Sequence, residues 1–314
     1  NHQHHGNSKL ESSHAIGYLS ANHGLEVSSG QLDNTTFHLH GKEKSLMLED
    51  GRLLEIVKGY SKDHRPDLVQ IGLQLIVENQ SRIPLLMEIL SGNQEEGKSY
   101  GDFITTYAGQ LEKKYGVELV VVDSKLYNRA NLEILSTKGS LKWITRVPNH
   151  LKAVKELIST IDKDSLKPLN GYEGYQYQVV YNNYGSVAQR WLVLHSEGKY
   201  LRDLKGLHKR LLKETQLAQK ALKKLGKQSF DSEKGAFEAA NLFSSKLKYS
   251  NLEQVSVYSK KHYKTAGKPK KGQQADSISY HIEAMISSDL KQYEIEKEKL
   301  GFFILATNEL DEVK

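Results

Sequence analysis

Apolar residues recur along this chain with two periods, and the switches between them mark out the elements. The run Val120-Val121-Val122 ends on Asp123, and the polar stretch Ser124-Lys125-Leu126-Tyr127-Asn128 follows. An unbroken β-branched run predicts a strand over 118–123 buried on both faces. Upstream, 31–41 spaces Leu, Thr and Phe among polar residues and closes on Gly41, a strand pattern interrupted by Asp33. Residues 52–60, 67–77 and 82–90 give further strand-like runs, the second almost entirely apolar or Gln. Short turns join them into a meander. At 99–115 the period changes: Phe103, Ile104, Tyr107, Leu111 and Tyr115 recur at three- and four-residue spacing, and Gly116 closes a helix. A helix over 128–137, a strand over 142–148 and a helix over 150–161 complete the first half.

The order β-β-β-α-β-α-β-α suits an α/β fold: a mixed five-stranded sheet with flanking helices, in a ribonuclease H-like arrangement. The second half reads differently. Tyr- and Gly-rich residues 172–184 and the apolar run 187–195 predict a hairpin through Asn182-Asn183-Tyr184-Gly185. A long basic helix over 200–225, a helix over 231–247, strands at 253–258 and 278–285, a helix over 289–300 and a strand over 302–307 follow. The expected organisation is a polar lead-in (1–30), a partial catalytic core (31–164) and an α+β insertion domain that includes the last strand (165–314).

Composition narrows the chemistry. The 314 residues hold 44 Lys+Arg against 38 Asp+Glu, with no cysteine. Disulfides, thiolate zinc sites and a cysteine nucleophile are therefore excluded. The basic balance accommodates a polyanionic partner without requiring one. No window approaches a membrane span, and with no secretory leader visible the cytoplasm is the default. His4 and His5 in the lead-in read as solvated residues in preference to a metal tract. Ser13 with His14, and Ser61 with Asp63 and His64, supply the letters of a hydrolase triad but no strand-turn-helix elbow to carry the serine.

Two readings of Asp123 stand side by side. It caps the next helix, or it is a ligand at the rim of the sheet. Asp33 likewise either faces solvent or converges with Asp123, since the two strands would lie together at the centre of such a sheet. Two close carboxylates repel unless a cation sits between them, and oxygen donors favour Mg2+ or Mn2+. The polar segment 58–67 is either a charged turn shaped by Pro66 or a rim loop contacting phosphate through Lys58, Lys62 and Arg65. The segment 260–274 carries Lys260, Lys261, Lys264, Lys268, Lys270 and Lys271. It is either a solvated loop or a grip on a DNA backbone.

Particular strings carry a resemblance. Residues 32–41 around Asp33, the string Lys58-Gly59-Tyr60-Ser61-Lys62-Asp63-His64-Arg65-Pro66-Asp67-Leu68, Ser91-Gly92-Asn93, and Val121-Val122-Asp123 with Tyr127-Asn128 and Asn131-Leu132 resemble bacterial insertion-sequence transposases of the DDE type. Phe302-Phe303-Ile304-Leu305-Ala306-Thr307-Asn308 is similar to the run before that family's last motif. The resemblance implies a ribonuclease H-like core that cuts and joins double-stranded DNA at transposon ends using Mg2+ or Mn2+, with Asp33 and Asp123 as catalytic metal ligands. A homodimer is compatible with it. Where the family more often has Asp-Arg-Gly-Tyr, this chain has Asp123-Ser124-Lys125-Leu126-Tyr127. The family's third carboxylate, a Glu within Tyr-x-x-Arg-x-x-x-Glu, has no counterpart here. Glu309 and Glu312 fall too early, and Glu283 falls in the insertion. The expectation is a truncated transposase that binds Mg2+ weakly and catalyses little. The alternatives are an inactive DNA-binding relic and a two-carboxylate nuclease of the same fold.

Overall fold

The computed structural model describes residues 9–11, 24, 27–61, 64–138, 141–264 and 273–311. The chain divides into two units, one of residues 1–194 with 303–314 and one of 195–302. The first is a mixed α/β unit. Its strands are β1 (Lys9–Glu11), β2 (Ser29–Leu39), β3 (Lys44–Met47), β4 (Leu53–Ile56), β5 (Val69–Glu78), β6 (Pro84–Ser91), β7 (Leu119–Val122), β8 (Lys142–Val147), β9 (Lys167–Pro168), β10 (Tyr175–Tyr184), β11 (Val187–Ser196) and β14 (Phe302–Thr307). Its helices are α1 (Glu96–Tyr115), α2 (Arg129–Lys138) and α3 (Lys152–Thr160).

The large sheet runs β1-β6-β5-β2-β7-β8-β14-β11-β10-β9. β2 is antiparallel to β5 and parallel to β7, β7 is parallel to β8, and β8 is antiparallel to β14. Five of the expected strands are therefore adjacent as β6-β5-β2-β7-β8, but they form half of a ten-stranded sheet, and the run over 52–60 is not among them. The hairpin of β10 and β11, read from sequence as part of an insertion, extends this sheet. Its apolar alternation, with Val187, Trp191 and Val193 buried, suits a strand with neighbours. The expected strand over 52–60 is also shorter. β4 pairs with β3 in a separate two-stranded sheet, turned at Gly51 with φ 79°, and Val57 makes only an isolated bridge to Gln70.

β5 shows why the centre holds. Its even-numbered residues Gln70, Gly72, Gln74, Ile76 and Glu78 are all buried, on the side where Gln74 Nε2 donates to Ser99 O of α1 at 3.3 Å. Tyr100, Phe103, Ile104, Tyr107, Leu111 and Tyr115 form the buried stripe of α1. Gly116 ends that helix in the left-handed conformation, φ 73°, returning its N–H to Glu112 O and Leu111 O.

The second unit contains α4 (Glu197–Gly226), α5 (Glu233–Ser244), the antiparallel ribbon of β12 (Ser250–His262) and β13 (Ser277–Ser288), and α6 (Leu290–Glu298). Side-chain caps start each helix: Ser196 accepts from Lys199 N, Ser232 from Gly235 N and Asp289 from Gln292 N. One core cluster is built on Leu207, Tyr249 and Leu300, another on Ala236, Ala240 and Ile282. Among the described residues no helix is long and apolar enough to cross a membrane.

Candidate functional site

The parallel pairing of β2 with β7 sets Leu32 opposite Val122. Asp33 and Asp123 are the next residue on each strand line, at the C-terminal rim of β7. Adjacent strands run about 4.8 Å apart, so the two backbones reach this rim as neighbours. Both aspartates are exposed. β2 lies between β5 and β7, so the solvent-facing aspartate is on an interior strand.

Asp123 caps the short 3-10 turn Ser124–Leu126: its Oδ1 accepts from Lys125 N at 3.0 Å and Ser124 Oγ at 3.2 Å. Its backbone oxygen accepts from the buried Thr145 hydroxyl on β8 at 2.9 Å. Asp33 Oδ1 accepts from Asn34 N at 2.8 Å and from the Tyr100 hydroxyl at 3.4 Å. In both residues Oδ2 has no hydrogen-bond partner among the described residues, so capping leaves half of each carboxylate available as an oxygen donor. That donor chemistry fits Mg2+ or Mn2+, which are commonly held by one or two carboxylates plus water and substrate phosphate. Among the described residues no group of three His, Asp or Glu side chains is arranged to hold a metal ion.

The other carboxylates singled out in the sequence lie elsewhere. Glu309 approaches Lys142 at 3.7 Å, and Lys142 pairs with Leu119, the first residue of β7; Glu309 is thus at the opposite rim from Asp123. β14 runs antiparallel to β8, which carries its C-terminal end there. Glu283 is on β13 of the second unit. Glu312 lies outside the described residues.

The string beginning at Lys58 meets Ser91-Gly92-Asn93 through two glycines. A Cβ on Gly59 would stand 2.0 Å from Gly92 O, and one on Gly92 would stand 2.1 Å from Gln70 O. This approach clamps the Gln70 amide, whose Nε2 donates to Gly92 O at 2.7 Å and Tyr60 O at 3.2 Å. Two carbonyls fix which end of the amide is nitrogen. Gln70 Oε1 is then left without a hydrogen-bond partner among the described residues, although Gln70 is only 2% exposed. It lines a cavity of about 320 Å3 together with Asn34, Thr36, Tyr60, Asn93 and Lys125. Gln70 was missed from sequence; the signal available was a Gln inside an apolar strand.

Lys58 is exposed beside this clamp, and Lys62 lies outside the described residues. The Arg65 guanidinium is engaged by Asp67 through Nε at 2.9 Å and Nη2 at 2.8 Å. The same fork holds the Asp67 carboxyl down to about 2. Ser61 Oγ accepts from Arg65 N and contacts His38 Nε2, so the turn is braced by its own side chains.

Behind Asp123, the Tyr127 hydroxyl and Trp191 Nε1 both donate to the buried Gln189 Oε1, at 2.8 and 3.0 Å. Burial pushes the Tyr127 phenol up. The Tyr127 ring stacks on Tyr184, centroids 5.1 Å apart. This polar core fastens the segment after Asp123 to β11.

In the second unit, Lys260 and Lys261 lie on β12, opposite Ser279 and Ile278, and not in the loop expected for them. The ribbon's pairing runs on to His262, and its polar face tolerates these lysines exposed. Lys264 N donates to Asp276 Oδ2 at 2.8 Å. Lys268, Lys270 and Lys271 lie outside the described residues.

No protein-family model matches this chain, and no curated protein matches it. Among solved structures it is similar to a cryo-EM structure of the piggyBac transposase synaptic complex with hairpin DNA. The TM-score is 0.31 and the identity 10%, over 54% of this chain and 30% of that one. The chain thus matches less than a third of that protein's length.

Proposed function

We propose that this chain is a DNA transposase of the DDE type. Its ribonuclease H-like core would act on phosphodiesters at transposon ends with Mg2+ or Mn2+. The observation that carries the reading is the pairing of Leu32 with Val122, which brings Asp33 and Asp123 to one rim with an oxygen of each uncommitted. The strand order β6-β5-β2-β7-β8, with β5 antiparallel to its neighbours and β2, β7 and β8 parallel, is the order such a core would have.

Asp33 and Asp123 would hold the cation, and Thr145 and the 3-10 turn would keep Asp123 in place. A divalent cation there supplies charge stabilisation for the leaving oxygen and lowers the pKa of an attacking water. Exposed Lys58 and Lys125 would attract the DNA backbone, as would Lys260, Lys261 and Lys264 of the ribbon. The test is incubation of plasmid DNA with Mg2+ or Mn2+. Cation-dependent nicking or joining that Asp123→Ala abolishes supports the reading.

A second reading has its own support: no third carboxylate joins the two aspartates among the described residues. A protein of this fold would then bind DNA without cutting it. Salt-sensitive DNA binding with no cation-dependent nicking would favour that reading, and nicking without joining would favour a two-carboxylate nuclease.

A further inference from the structure

The ladder between β2 and β7 stops one residue short of the aspartates. Its last pair is Leu32 with Val122, after which β2 continues beside β5 while the other chain turns into Ser124–Leu126. Backbone pairing therefore brings Asp33 and Asp123 to one rim without fixing the gap between them. Two carboxylates that share a cation must hold that gap to a fraction of an ångström, so another element must span it.

The first turns of α1 span it. On the Asp33 side, Ser99 Oγ accepts from Asn34 Nδ2 at 3.0 Å, and the buried Tyr100 hydroxyl reaches Asp33 Oδ1 at 3.4 Å. On the Asp123 side the link is Asn131 of α2. Its Nδ2 donates to Gly97 O of α1 at 2.7 Å and to Leu126 O, in the turn that Asp123 caps, at 3.4 Å. Asn128 ties the same turn to α2: its Oδ1 accepts from Asn131 N at 3.0 Å and its Nδ2 donates to Lys125 O at 3.3 Å. Asn131 is 6% exposed, and an amide nitrogen facing two carbonyls has its orientation fixed.

Two glycines one turn apart make room for this link. A Cβ on Gly97 would stand 3.0 Å from Lys125 O, and one on Gly101 would stand 2.4 Å from Asn131 Oδ1. Glycine weakens a helix interior relative to alanine, and in α1 the weak positions seat one side-chain amide. We propose that Asn131 is a positioning residue: through the first turns of α1 it sets the separation of Asp33 and Asp123, and with it their joint affinity for a divalent cation. This inference rests on the metal-site reading of the two aspartates. Asn131 acts through backbone, at Gly97 in the helix that meets Asp33 and at Leu126 in the turn that Asp123 caps.

The experiment uses the whole chain and two variants that reach the same amide from opposite sides. Asn131→Ala deletes it. Gly101→Ala displaces it, and the group that must yield is a side chain and not backbone, so the fold is retained. Gly109→Ala controls for helix propensity, since a Cβ there meets nothing within 4 Å. The first arm is amide hydrogen exchange without metal, read by NMR at Asn34 and Lys125, whose N–H groups donate to Asp33 and Asp123. Both should exchange faster in Asn131→Ala and Gly101→Ala, and neither in Gly109→Ala. The second arm is Mn2+ affinity with duplex DNA present. Asn131→Ala and Gly101→Ala should each weaken it by about tenfold, the scale of residues that orient metal ligands. In an Asp33→Asn background the same changes should cost about twofold or less, because the remaining carboxylate has no partner to be spaced from. A purely structural role would cost the same in both backgrounds. Faster exchange at Lys125 alone, or equal losses of Mn2+ affinity in both backgrounds, overturns the proposal. Mn2+ binding that needs both aspartates but is unchanged in Asn131→Ala removes the positioning role and leaves the metal reading. Faster exchange at both amides, in a protein whose Mn2+ binding ignores Asp33→Asn and Asp123→Asn, keeps the mechanical link and removes the metal reading, and with it the effect of Asn131 on affinity.

Discussion

A Cβ on Gly59 would lie 2.0 Å from the carbonyl oxygen of Gly92. The contact is backbone against backbone, so neither side can swing away. Gly59→Ala is therefore expected to destabilise the first unit by at least about 2 kcal/mol, toward the upper end of overpacking costs. Urea unfolding followed by circular dichroism measures it. Gly109→Ala is the control: a Cβ there meets nothing within 4 Å, and alanine is the better helix former. A Gly59→Ala protein as stable as the wild type would mean that the two strings do not meet as described.

Gln189 takes two buried donors on one oxygen. Tyr127→Phe removes one of them and leaves the other paired, at a cost of roughly 1 kcal/mol. Gln189→Leu strands both the Tyr127 hydroxyl and the Trp191 indole N–H, and should cost about 2–4 kcal/mol because each loses its partner in a dry site. The order of the two urea midpoints is the readout. Equal midpoints would show that Gln189 is not the shared acceptor.

Glu78 is 1% exposed, and its Oε2 accepts from Gln80 N at 2.8 Å, Ser81 Oγ at 2.7 Å and Ser81 N. Burial alone would raise its carboxyl, but these donors outweigh it and hold the group below the ordinary value of 4.5. The folded carboxyl is the stronger acid. Its contribution is therefore present above pH 4.5 and is lost as pH falls through the lower folded value. Glu78→Gln should cost roughly 1–3 kcal/mol at neutral pH and flatten the acid limb of a melting-temperature profile. Parallel wild-type and variant profiles through that limb would remove Glu78 from the account.

Lys260, Lys261 and Lys264 bear on the proposed DNA contact. If all three meet phosphate, the triple alanine variant should lower the slope of log affinity against log salt by about 2.7, near 0.9 per contact. Anisotropy titrations between low and moderate salt give the slope directly. An unchanged slope would assign these lysines to solvent.

Local pattern carried much of the fold. The Val120–Val122 run, the apolar stripe of α1 and the Gln-bearing run at β5 are one-dimensional signals of strand, helix and strand, and each forms as its period requires. What lay beyond reach depended on pairing across long separations. Nothing in 44–57 says that β3 and β4 leave the main sheet, because exposed Leu46, Met47 and Leu53 imitate a core strand. Nothing local to Tyr175–Ser196 reveals which sheet it extends. Lys260 and Lys261 read as loop because charge runs do, yet a two-stranded ribbon with one wet face accommodates them. At the site, the aspartates were legible as carboxylates in unusual strand contexts. The Gln70 clamp was not, since it needs Gly59, Gly92 and Tyr60 brought together by a turn and two strands.

The proposed site has Asp33 and Asp123 acting together on one divalent cation. Manganese binding followed by electron paramagnetic resonance, with duplex DNA present to supply phosphate ligands, tests it without relying on turnover. Asp33→Asn and Asp123→Asn should each weaken Mn2+ binding by at least about tenfold, and the loss in the double variant should fall short of the sum of the two, because both carboxylates serve one ion. Mn2+ binding unchanged in either single variant, or losses that simply add in the double, would contradict it.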